Sequence, residues 1–230
     1  MGVRVDLRDG FGQLTLDRPL AAHAYTRQML DALADGFALL AKEASVIWIG
    51  STGDRAFCAG ADLHELGAAS PTDALDLRSQ QVFDGIARSP VVSVCAIQGP
   101  AVAGGCELAL ACDLRVVGPG ARLRLPETSM GLIPAAGGCT RLTQLVGQSV
   151  AKQVILAGHE LSAEDCGRLG LAIGPVADVH AEAKALCRRL VGRDPIALRL
   201  AKQVIDGDGG TTSLGAERVA EALLYSRRPQ

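Results

Sequence analysis

The order of hydrophobic periods along this 230-residue chain predicts an α/β fold with parallel strand pairing. Three observations carry that prediction. Two short apolar runs, Val46–Ser51 and residues 91–97, read as buried strands. Each lies in a unit of strand, loop and helix, the loop after the first being rich in Gly and Ala, so the two strands run in the same direction. The last hundred residues change to an almost unbroken helical period.

The elements follow in order. Residues 3–7 and 13–16 alternate around Asp9-Gly10, the signature of a hairpin. Residues 26–42 place Met29, Leu30, Leu33, Phe37, Leu40 and Ala41 on one helical face behind a Thr26 cap. After the strand Val46–Ser51 and its loop, residues 72–87 read as a helix and 91–97 as the next strand. An apolar helix over 106–112 leads into short strands at Leu114–Val117 and 122–125. Helices are then predicted over 139–146, 150–156, 163–169, Val179–Val191, 195–205 and 214–225. No fixed-period repeat or low-complexity linker interrupts them.

Composition narrows the function classes. With 48% hydrophobic residues, 21% charged and a net charge of −2, the chain is an ordered globular protein. A domain of this length buries about 70% of the surface its unfolded form exposes, so the core needs no disulfide or metal staple. The 23 basic and 25 acidic residues are intermixed, which argues against a nucleic-acid or anionic-membrane partner. Aromatics at 3% leave no base-stacking platform. The seven cysteines, at 58, 95, 106, 112, 139, 166 and 187, form no C-x-x-C pair and sit mostly in apolar runs, as reduced core thiols do. Acidic residues near the N-terminus interrupt any signal-peptide core, and the most apolar stretch, 91–114, is broken by Gln98, Gly99, Pro100 and Glu107. The expected location is the cytoplasm.

Several familiar chemistries are excluded by spacing. There is no phosphate-binding G-x-x-x-x-G-K-[ST], and the nearest approach to a dinucleotide fingerprint, at Gly118-Pro-Gly120, lacks its third glycine. His23, His64, His159 and His180 are dispersed without an H-E-x-x-H, so no metal site is expected, and no serine occupies a G-x-S-x-G elbow. Chemistry therefore falls to carboxylates and backbone amides.

Three segments pair clustered small residues with a single acid: Ala59-Gly60-Ala61-Asp62-Leu63, Gly104-Gly105-Cys106-Glu107, and Pro126-Glu127 followed by Gly131, Pro134, Gly137 and Gly138. Gly104 lies where a helix begins, so its amide lacks an intrahelical acceptor and carries the positive end of the helix dipole. The turn after the first strand can expose the Ala61 amide as a second donor to a developing oxyanion. Glu107 falls one turn into an apolar helix, where enclosure shifts its proton affinity toward acid–base work. Each feature also has a purely structural explanation. The glycine pair can serve helix–strand packing, Glu107 and Glu127 can be ordinary first-turn acids, Asp62 a cap, and Cys106 core filling.

Together, the three segments resemble the motifs of the crotonase superfamily, the enoyl-CoA hydratase/isomerase family. The matching residues are Ala59–Leu63, Ala103–Ala109 with Cys112-Asp113, and Pro126-Glu127 with Gly131–Pro134 and Gly137-Gly138. The resemblance implies a ClpP/crotonase-like spiral of ββα units over residues 1–190. A helical C-terminal oligomerisation segment would span 191–230, with assembly as a homotrimer or a dimer of trimers. It also implies an acyl-CoA thioester held with its carbonyl between the amides of Ala61 and Gly104. Ala59, Gly60, Asp62, Leu63 and Ala135 would contact CoA or substrate. Glutamates at both acid positions, Glu107 and Glu127, imply hydration of a 2-enoyl thioester or the reverse dehydration. No cofactor is implied beyond the CoA that the substrate carries. Alternatives within the resemblance are double-bond isomerisation, dehydration of carrier-protein-bound acyl groups, and non-catalytic acyl-CoA binding.

The chain departs from the family pattern in places. His23-Ala24-Tyr25 stands for the usual Asn-Ala-Leu, His64 for a basic residue near the CoA phosphates, and Ala135 for a glycine beside the catalytic water. The sequence stops four residues after Ser226, short of the family's usual final helix, and an acyl group arriving on a carrier's phosphopantetheine arm would suit that shortening. The acyl pocket is expected around 75–82 and near Met130 and Leu132.

Overall fold

The computed structural model describes residues 2–68, 75–207 and 211–227. Its main sheet has the strand order β1 (Val3–Arg8), β2 (Phe11–Leu16), β3 (Val46–Ser51), β4 (Val92–Ile97) and β6 (Leu114–Val117). The hairpin β1–β2 is antiparallel and every later pair is parallel, as the strand–loop–helix repeats require. β1 is a largely exposed edge, whereas β3 and β4 are buried along their whole length.

The period of two in each strand divides the core between the faces of the sheet. Leu14, Ile47, Ile49, Cys95 and Ile97 pack on one side with α1 (Arg27–Leu40), α3 (Arg78–Ala87) and α4 (Gly104–Ala111). Phe11, Trp48, Val94, Ala96 and Val116 pack on the other, beneath Val179, Ala183 and Cys187 of α7 (Val179–Val191). The Thr26 hydroxyl accepts the Met29 N–H at 3.2 Å and so caps α1. Of the helix predicted over 72–87, residues 78–87 are observed as α3; Leu77 before it is extended, so the helix starts later than predicted, and residues 72–74 lie outside the described residues.

A second sheet is formed by β5 (Pro100–Val102), β7 (Arg122–Arg124) and β8 (Leu161–Ser162); β7 is the strand predicted over 122–125, whereas β5 and β8 are too short to leave a period in the sequence. A short helix α2 (Leu63–Ala68) and the 3₁₀ turn at Pro19–Ala21 leave no signal in the sequence either, whereas the short-helix start open to Pro126-Glu127 is observed as a 3₁₀ turn, Glu127–Met130. The helices predicted over 139–146 and 150–156 form one run, α5 (Gly138–Ile155), broken at Gly147, where φ is 79°. After α6 (Ala163–Arg168) and α7 come α8 (Pro195–Asp206) and α9 (Thr211–Tyr225). α8 is tied to the core by Lys202, whose ammonium lies 2.6 Å from Asp113. Among the described residues no helix is long and apolar enough to cross a membrane.

Candidate active site

The three glycine-bearing segments become neighbours through the small sheet. Cys58 bridges Ala101 in parallel, and Ala101 stands opposite Leu123 in the β5–β7 register. Backbone bonds from Val102 N–H to Cys58 C=O and from Ala103 N–H to Arg124 C=O, each 2.9 Å, lock the register. Residues 58–61, 101–107 and 124–127 thus leave one sheet edge together.

The same pairing orients two amides. Tyr25 bridges Ala61: its N–H donates to Gly60 C=O and its C=O accepts from Asp62 N–H, both at 2.8 Å. In a parallel bridge the residue opposite turns its own N–H away, and the Ala61 amide has no acceptor among the described residues. Gly104 is the first residue of α4, and its amide likewise has no acceptor among the described residues. Ala103 before it adopts φ 51° and ψ −126°, a conformation of order 1–3 kcal/mol for a non-glycine residue, tolerated at functional turns. The two loops touch at Gly60, where φ is 94° and a Cβ would stand 3.2 Å from Gly104 N. Only glycine allows that approach.

Both glutamates are buried, and Glu107 lies in the first turn of the helix that Gly104 begins. Glu107 is 4% exposed and Glu127 7%. Burial pushes the Glu107 carboxyl up to about 7, and the Glu127 charge adds to the shift. Hydrogen bonds from the Gly138 and Ala136 amides and the Arg141 charge oppose it. The Gly138 bond to Glu107 Oε1 is 2.9 Å. Burial also raises Glu127, whose Oε2 has no hydrogen-bond partner among the described residues. Thr128 Oγ1 donates to Ile155 C=O at 2.8 Å and fixes the 3₁₀ turn that carries Glu127.

Supporting contacts hold the rim. Arg18 pairs with Asp62 at 2.6 Å and donates to Ala24 C=O, which ties the loop before α1 to the Ala61 segment. The second Asp62 oxygen accepts His64 N–H, and Arg18 with that amide keeps the carboxyl below its ordinary range. His23 is buried, accepts Arg18 N–H at Nδ1 and meets Thr52 C=O at Nε2, 2.9 Å away, which makes Nε2 the protonated nitrogen. Gln80 of α3 donates to Ala135 C=O at 2.7 Å, and Arg141 lies between Asp84 and the Ala136 carbonyl.

A family model described as enoyl-CoA hydratase/isomerase matches residues 6–228. The chain belongs to that family. It is 34% identical over 224 residues to a probable mitochondrial enoyl-CoA hydratase 2 of Arabidopsis thaliana, covering 95% of this chain and 74% of the relative. Identity is also 34% over 199 residues to the 2,3-dehydroadipyl-CoA hydratase of Escherichia coli, covering 84% and 76%. The crystal structure of an enoyl-CoA hydratase from Bacillus anthracis superposes with a TM-score of 0.91 at 30% identity, covering 96% of this chain and 90% of that one. The crotonase-type fold expected from the motifs is therefore the fold of this family member.

Within that fold, residues 59–63 form one loop, with Leu63 exposed at the start of α2; the loop meets the start of α4 at Gly60 and Gly104, and Glu107 in the first turn of α4 feels the Glu127 charge. Ala135 sits in the loop whose next residues, Ala136 and Gly138, bond Glu107. Among the described residues no three His, Cys, Asp or Glu side chains converge as metal ligands. Sequence reasoning missed Arg141, although its place three residues after Gly138 on a new helix would have pointed it back toward Glu107.

Proposed function

We propose that this chain adds water across the double bond of a 2-enoyl-CoA, or removes it from the 3-hydroxyacyl thioester. The observation that carries this reading is the burial of two glutamates, the charge of Glu127 felt at Glu107, together with two amides that have no acceptor among the described residues. In the forward direction water attacks C3 and gives up a proton while C2 takes one. The electron pair displaced from the double bond collects on the thioester oxygen as an enolate. The amides of Ala61 and Gly104 face that oxygen, with the α4 dipole behind them; losing one such donor costs on the order of 3 kcal/mol of barrier.

Glu107 and Glu127 share the proton traffic. With its proton affinity balanced at about 7, Glu107 both takes and returns a proton near neutrality, and burial raises the Glu127 carboxyl as well. Ala59, Gly60, Leu63 and Ala135 supply contact surface for CoA and the acyl group, while Asp62 holds that surface through Arg18. The CoA arrives with the substrate, so the reaction draws on no separate cofactor. We further propose a homotrimer or a dimer of trimers in the cytoplasm, supported by exposed apolar residues on the last helices and by seven free thiols.

The test is incubation with 2-butenoyl-CoA while following the conjugated thioester absorbance. Hydration removes that absorbance and yields 3-hydroxybutanoyl-CoA. Absorbance that instead appears from a 3-enoyl-CoA, with none lost from the 2-enoyl substrate, assigns the site to isomerisation.

A further inference from the structure

At the start of α5 two successive glycines each admit a different side chain. Gly138 donates its N–H to Glu107 Oε1 at 2.9 Å, and a Cβ on it would stand 3.0 Å from that oxygen and 2.6 Å from Pro134 Cβ. Gly137 takes φ 108°, and a Cβ there would overlap the guanidinium of Arg141. Arg141 reaches this dipeptide twice. Its main-chain N–H donates to Gly137 C=O at 2.8 Å, and that carbonyl belongs to the same peptide plane as the Gly138 N–H, pointing the opposite way. Its Nη1 donates to Ala136 C=O in the preceding peptide at 2.9 Å. The guanidinium is anchored on α3, with Nη2 3.2 Å from Asp84 Oδ1, and the side chain is only 14% exposed. Gln80, one turn earlier on α3, donates to Ala135 C=O at 2.7 Å, so three consecutive peptides before Glu107's amide donor are held.

We propose that Arg141 is a positioning residue for Glu107: anchored on Asp84, its guanidinium fixes the Ala136 carbonyl and so aims the Gly138 amide at Glu107 Oε1, holding the carboxyl in the orientation from which it exchanges a proton with the substrate. This rests on Glu107 as a proton-transferring group of the hydratase reading. An aimed amide stabilises a carboxylate more than the neutral acid, so the clamp acts on the charged form. The charges that act on Glu107 are that of Glu127, which opposes ionisation, and that of Arg141, which favours it. Without the guanidinium the loop is free to turn the Gly138 N–H away, and Glu107 then ionises less readily.

The test reads the carboxyl directly. In protein carrying ¹³C at its glutamate carboxyls, the Glu107 signal is the one that Glu107→Gln removes, and in the native protein it should titrate at about 7. Arg141→Met keeps the stem and deletes the fork. The titration should then move up by about one pH unit, the size of one hydrogen bond to a charged group, and the limb of the kcat/KM profile that Glu107 governs should move with it. On 2-butenoyl-CoA, kcat should fall about tenfold with KM changed less than about threefold. In the Glu107→Gln background the same change should cost less than about a further threefold, because no carboxylate is left to hold. Arg141→Lys keeps the charge without the planar fork that spans Asp84 and the carbonyl, and should recover little of the lost kcat. Asp84→Ala removes the anchor alone, should move the titration in the same direction, and serves if Arg141→Met folds poorly. An unmoved titration in Arg141→Met and Asp84→Ala, full rescue by Arg141→Lys, or an undiminished loss in the Glu107→Gln background each overturn the proposal. A native protein whose Glu107 titrates and shifts as expected, yet hydrates no 2-butenoyl-CoA, overturns the hydratase reading and leaves the clamp standing.

Discussion

At the scale of single residues, the chemistry of the site is a matter of where carboxyls are held. Replacing Glu107 or Glu127 by Gln keeps volume and hydrogen-bonding capacity but removes proton transfer. Turnover of 2-butenoyl-CoA should fall by about 10² or more in each, with a much smaller change in acyl-CoA binding, and the double variant should cost far less than the product of the singles. Near-native hydration by Glu127→Gln would count against the two-acid mechanism. The same replacement at Glu107 carries a stability signature. Between its ordinary value of 4.5 and about 7, the folded chain keeps a proton that the unfolded chain releases, so stability falls as pH rises through that window. Glu107→Gln should therefore be more stable than the native protein at pH 8, by at most about 3 kcal/mol, and the gain should vanish toward pH 4. Urea unfolding at the two pH values measures it.

At the scale of elements, the site depends on short pieces that would have no stability alone. The 3₁₀ turn Glu127–Met130 is one such piece, pinned by Thr128 to the last turn of α5. Thr128→Val keeps the shape and deletes that bond. It should cost about 1 kcal/mol in urea unfolding and lower kcat several-fold by loosening Glu127. Unchanged kcat together with the expected stability loss would show that the turn holds its carboxyl without the anchor. The turn's sequence, Pro126-Glu127-Thr128, reads as a helix start, but its partner, Ile155, lies 27 residues away, so nothing local announces the contact.

At the scale of the whole molecule, the C-terminal helices bear on cooperativity and on the proposed assembly. Lys202 reaches from α8 to Asp113, which also accepts from the Ser93 N–H and hydroxyl. Removing one partner of such a buried pair is costly, so Lys202→Met should lower stability by about 3 kcal/mol while unfolding remains a single transition. Leu214, Val219 and Leu223 of α9 are 62%, 72% and 50% exposed. Sedimentation velocity at micromolar concentration should give a trimer or its multiple, and Val219→Asp with Leu223→Asp should shift it toward smaller species. A native monomer would overturn the assembly.

The sequence by itself determined the elements that bury a long apolar face. The strand Val46–Ser51, the strand Leu114–Val117 and the helix Val179–Val191 lie at the predicted boundaries, because periods of two and 3.6 are written wherever one face must leave water. It also marked both glutamates and both amides, since an acid or a glycine in an apolar run is legible residue by residue. Only the tertiary structure decided how those marks combine. β5 is three residues long, yet its pairing with Cys58 and with β7 brings segments from three parts of the chain together. Tyr25 was visible only as an odd letter in a motif, and the structure pairs it with Ala61 and sets it against Gly104, 36 and 79 positions further along the chain. Periodicity reports what a residue must do with respect to water, whereas backbone pairing and side-chain contact across such separations depend on which surfaces the folded chain presses together.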